Sequence, residues 1–83
     1  MVNNFQILRN EAVASLNAVQ AAPTAISALP VLSRAVLLMP YIIDMANNPI
    51  FTKRPVIRLD RALVIIGKKR LLDLLEGIVN QYR

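Results

Sequence analysis

Five prolines, at positions 23, 30, 40, 49 and 55, divide the middle of this 83-residue chain into pieces too short for a long helix. Proline lacks a backbone N–H, and its ring clashes with the carbonyl four residues back. An interior proline therefore kinks or ends a helix. The only proline-free stretches longer than about ten residues are 1–22 and 56–83, so any long element must lie in one of those two.

The first stretch predicts an amphipathic helix over 4–22. Phe5, Leu8, Ala12, Leu16 and Val19 recur at steps of 3, 4, 4 and 3, the spacing of one helical face. Arg9, Asn10, Asn17 and Gln20 fall off that stripe. Asn3 or Asn4 supplies the N-cap, Pro23 stops the helix, and Thr24 offers a fresh cap for a second helical segment. Over 24–47 the apolar content runs nearly all round, and Pro30 and Pro40 interrupt it. Helical pieces at 31–39 and 40–47, or one bent helix, are expected there. Asn47-Asn48-Pro49 is a stop signal, and 48–56, with two prolines, reads as an extended linker.

The last third changes phase in its middle. Leu59, Ala62, Leu63 and Ile66 define one helical face; Leu71, Leu75, Ile78 and Tyr82 define another, rotated by roughly 130° at 100° per residue. Gly67 sits between them. Two helices meeting near Gly67 account for the shift. The alternative is a short buried strand over 63–66 feeding a helix from 69, because Val64-Ile65-Ile66 is β-branched. One internal echo, Ser33–Pro40 against Asp60–Gly67, repeats a cap residue, Arg-Ala, an apolar run and a breaker; at this length it reads as shared helix grammar. The expected fold is all-α: one small domain over 1–83 holding four to five short helices in an irregular bundle. Its parts are an apolar helical segment (1–47), the linker (48–56) and a basic, amphipathic helical segment (57–83).

Charge is distributed as unevenly as proline. Of ten basic residues, seven lie between 53 and 70: Lys53, Arg54, Arg58, Arg61, Lys68, Lys69 and Arg70, with Asp60 alone opposing them. Residues 1–52 balance Arg9 and Arg34 against Glu11 and Asp44. These seven cations are the candidate contacts to an anionic partner. Gly67-Lys68-Lys69-Arg70 admits two readings. If a helix ends at Gly67, the cations complement the negative end of its dipole. If one begins near Lys69, they converge with exposed N–H groups on an anion.

Residue types that are missing exclude much chemistry. The chain has no Cys and no His, so disulfides, thiolate nucleophiles, cysteine zinc sites and imidazole bases are all out of reach. No enzymatic activity, cofactor, metal or small-molecule substrate is expected. Asp73 and Glu76, at i and i+3, read as the polar face of the last helix with Lys69 or Arg70 beside Asp73. Arg34 and Asp44 each interrupt an apolar stretch, either as surface exits or as a buried pair. Residues 1–8 hold no basic segment of the secretory type, and the lack of Cys fits an intracellular setting.

Hydrophobic residues make up 55% of the chain, above the usual 45–50% or so, although a small domain has proportionally less interior to fill. The surplus predicts apolar surface buried against another subunit or lipid. Candidate interface residues are Leu29, Leu32, Val36, Leu37, Met39, Ile42 and Ile43 in the middle, with Leu71, Leu75, Ile78 and Tyr82 at the end.

The segment Leu63-Val64-Ile65-Ile66-Gly67-Lys68-Lys69, followed by an apolar helix ending Val79-Asn80-Gln81, is similar to the opening strand and helix of the Alba family of small archaeal nucleic-acid-binding proteins. The resemblance implies a strand over 63–66 and places Lys68 and Lys69 against nucleic acid. It covers residues 63–81 only.

A non-catalytic structural or interaction subunit of a larger assembly is therefore expected, burying apolar faces against protein partners or its own copies and turning the basic segment toward an anion. A nucleic-acid binder is one alternative. Arg54, Arg58 and Arg61 are spaced 4 and 3, and arginine forks suit phosphate. Only Phe51 lies close enough to stack a base. A membrane-associated subunit is the other, with an irregular apolar span near 25–43 and a basic flank, or an interfacial placement on an anionic surface. Arg34 and two prolines weigh against the span.

Overall fold

The structure, a computed structural model, describes residues 3–47 and 58–82. Its elements are α1 (Asn4–Ala21), a 3-10 turn (Ile26–Ala28), α2 (Leu29–Leu32), α3 (Met39–Asn47), α4 (Leu59–Ile66) and α5 (Lys68–Gln81). Among the described residues all regular structure is helical, as the periodicity requires. The linker over 48–56 lies outside them, together with Lys53 and Arg54.

α1 forms where its stripe and cap place it. Asn3 is extended, and its side-chain oxygen accepts from the Gln6 N–H at 2.7 Å; such a cap contributes about 1 kcal/mol. Leu8, Ala12 and Val19 are buried as the spacing predicts, joined by Ser15. Phe5 differs: it stays largely exposed and stacks on Tyr82 with ring centroids 5.3 Å apart. At the other end, Lys68 Nζ donates to the Ala22 carbonyl at 2.7 Å. The start of α1 thus meets the end of α5, and the end of α1 meets the start of α5. The two longest helices pack antiparallel, tied at points about 20 Å apart along the fourteen residues of α5.

The middle departs from expectation. Helix is absent from 33–38, which forms turns, while α2 covers only 29–32. Pro40 does not end a helix but stands in the first turn of α3, where a missing N–H costs nothing. The turns are held locally by backbone bonds, such as Arg34 N–H to Val31 O (3.1 Å) and Ala35 N–H to Leu32 O (3.0 Å). They are also held from afar by Glu11 on α1, whose Oε1 accepts from the backbone N–H groups of Leu37 (2.8 Å) and Leu38 (3.1 Å) just ahead of α3. The Ser33–Pro40 echo is therefore not a structural repeat. Ser33 closes α2, its hydroxyl donating to Pro30 O at 3.1 Å. Arg34 and Asp44 are both exposed, which identifies them as surface exits and not a buried pair. The N-cap position of the 3-10 turn falls on Ala25 and not on Thr24, although the Thr24 hydroxyl oxygen, one residue ahead, accepts from Ser27 N–H at 3.2 Å.

Residues 63–66 are the last turn of α4, so neither the strand alternative nor the strand implied by the Alba resemblance is present. α4 packs on α3 and on the 3-10 turn. Gly67 then turns the chain in a single residue, with φ 77° and ψ 161°. This one step supplies the phase rotation between the two apolar faces. Ala62, Leu63 and Ile66 before it and Leu71, Leu75 and Ile78 after it all enter the same core.

Candidate interaction face at the α4–α5 junction

The basic segment separates into residues with different structural fates. Arg58 is extended and precedes α4, so Arg58 and Arg61 do not share a helical face, and the arginine row expected for phosphate binding does not form there. Arg58 Nη2 pairs with Asp60 Oδ2 at 2.9 Å. Asp60 sits in the first turn of α4 and accepts from Arg61 N–H at 2.9 Å, where the positive end of the helix favours a carboxylate. Lys68 is half-buried and bonded to the Ala22 carbonyl. That carbonyl is one of the unpaired acceptors at the end of α1, so Lys68 does complement a helix dipole. The helix is α1, forty-six residues earlier, not α4.

Arg61, Lys69 and Arg70 remain exposed. Lys69 and Arg70 lie in the first turn of α5, which has neither an acidic residue nor a side-chain cap at its start. Cations at a positive helix end cost about 0.3–1 kcal/mol each. Among the described residues neither Lys69 nor Arg70 pairs with a carboxylate within 4 Å, and the nearest acidic residue on their own helix, Asp73, lies one turn further along. The junction has the helix boundaries of both readings, since α4 ends and α5 begins on the same residue, Gly67.

Between Arg61 and Lys69 in the chain lie two apolar side chains that the sequence pattern did not mark as exposed. Val64 is 64% and Ile65 58% exposed. They fall off the Leu59–Ala62–Leu63–Ile66 stripe, which is the signal that marks them as outward-facing. Arg61 lies three and four residues before them, on the adjoining turn of the same helix. Lys69 and Arg70 come just past the bend.

The interface candidates divide in the same way. Leu32, Ile42, Leu71, Leu75 and Ile78 are buried in the chain's own core, occupied by contacts within the chain. Much of the apolar surplus thus goes to an interior of small and branched residues. Leu29, Leu37, Met39, Ile43 and Tyr82 are half-buried, and Val36 is exposed. Residues 25–43 are broken into the 3-10 turn, α2, turns and the start of α3, with Ala28, Leu32, Ala35 and Leu38 facing inward. Among the described residues no helix is long and apolar enough to cross a membrane. Comparison with known proteins finds no matching family model, no matching curated protein and no matching solved structure.

Proposed function

We propose that this chain is a non-catalytic interaction subunit that docks on an anionic partner through the α4–α5 junction. One observation carries the reading: Val64 and Ile65 are mostly exposed on α4, flanked by exposed Arg61 before them and exposed Lys69 and Arg70 after them. Aliphatic side chains held in water lose about 25 cal/mol for every Å² they could have buried. Cations at the start of a helix lose a further 0.3–1 kcal/mol or so each to the dipole. An anionic partner with an apolar component relieves both. The unpaired positive end of α5 adds to the pull on such a partner.

Immobilised heparin, a dense polyanion, tests the electrostatic half. The wild-type chain should be retained at low salt and released as salt rises, because surface charge attraction is screened. Arg61→Glu/Lys69→Glu/Arg70→Glu, all at exposed positions, should weaken retention at least tenfold while leaving the helical circular dichroism unchanged. Retention that survives the triple reversal, or a wild-type chain that is not retained at all, overturns the electrostatic half of the proposal.

A further inference from the structure

The α4–α5 face also indicates which anion it fits. Building on the docking reading above, the geometry points to the surface of an anionic phospholipid bilayer, with Val64 and Ile65 dipping below the phosphates and Arg61, Lys69 and Arg70 lying among them.

Shape and charge together select this occupant. Val64 and Ile65 are consecutive residues on the outer side of an eight-residue helix, so they project as a small convex ridge. A partner helix or peptide needs a groove to receive its anchors; a bilayer interface accepts a projecting ridge without one. Nucleic acid matches the cations but not the ridge. Single strands are held by stacking on aromatic rings, and α4 and the first turn of α5 contain no aromatic residue. A second copy of the chain would set the same cations against each other. Aliphatic side chains flanked by lysine and arginine are the pattern of helices that lie in a headgroup layer. The 3-10 turn that carries exposed Ile26 packs against α4, placing a third aliphatic side chain on a neighbouring element.

Flotation separates the possibilities. The full chain should float with phosphatidylcholine vesicles containing phosphatidylglycerol and stay behind with phosphatidylcholine alone. Raising the salt should release it. Val64→Ser/Ile65→Ser should lower partitioning about tenfold or more, since each buried aliphatic side chain contributes on that scale. Arg61→Gln should lower it about fivefold, the worth of one cation near an anionic surface. Val64→Ala/Ile65→Ala, which preserves helix propensity, should fall with the serine variant and guards against a folding artefact. Binding to heparin or RNA without flotation overturns the lipid assignment and leaves the docking face standing. Undiminished flotation of both the serine and the alanine variants overturns the role of the ridge. Equal flotation with neutral vesicles overturns the role of the cations. Failure to bind vesicles, heparin and RNA alike overturns the docking reading itself.

Discussion

Glu11→Ala should cost about 2–3 kcal/mol of stability, because hydrogen bonds to a charged acceptor contribute roughly 1.5–3 kcal/mol and orphaned donors add their own penalty. The Glu11 carboxylate is the acceptor for two consecutive backbone N–H groups, those of Leu37 and Leu38, in a partly buried setting. Alanine leaves both donors without a partner next to the start of α3. In a domain of this size the loss corresponds to a melting temperature lower by roughly 10–20 °C. Glu11→Gln keeps a carbonyl oxygen of the same reach, so it should lose about half as much. Because α3 packs directly on α4, the alanine variant should also loosen the face that carries Val64 and Ile65. Denaturant unfolding followed by circular dichroism measures the effect; an alanine variant within about 0.5 kcal/mol of wild type would show that Glu11 is not what fixes the turns over 33–38.

Gly67→Ala should destabilise by about 1–3 kcal/mol, the usual cost of a side chain in a backbone region that glycine alone occupies freely. The φ of 77° with ψ of 161° lies in that region. A Cβ at 67 would meet nothing within 4 Å, so the cost is conformational and owes nothing to crowding. Gly77 provides the contrast in the helix that begins next to it: it too has open space around a new Cβ, but its backbone is helical. There alanine should gain about 0.5–1 kcal/mol. The same replacement ten residues apart thus changes sign with backbone conformation alone. Equal effects at the two positions, read from melting curves, would contradict the assigned geometry of the bend.

The parts of this fold legible in the sequence are those fixed by near neighbours. The α1 stripe, its Asn3 cap and the stop at Pro23 involve residues within four positions of one another. The bend at Gly67 is visible because the apolar phase shifts across it. The parts that were not legible depend on partners far along the chain. Residues 33–38 look helical by composition, yet they form turns whose last two N–H groups are taken by Glu11, twenty-six residues before Leu37. Lys68 looks like one of three equivalent cations until the Ala22 carbonyl claims it. Glu11 gave one faint signal: it is the only carboxylate before Asp44. For the candidate site, charge located the region, but only the exposure of Val64 and Ile65 revealed an apolar component within it.

The antiparallel pairing of α1 with α5 has a consequence for the order of assembly. Within this fold α1 has its most extensive partner in α5, so Leu8, Ala12 and Val19 have no complete surface to settle on until residues 68–81 are available. Loop closure on that scale slows folding relative to bundles whose neighbours are adjacent in sequence. The core should therefore form in one concerted step that waits for residues 68–81. A stalled nascent chain ending before Lys68 should be digested by protease as readily as an unfolded one, and protection at that length would show that α1 finds its place without α5.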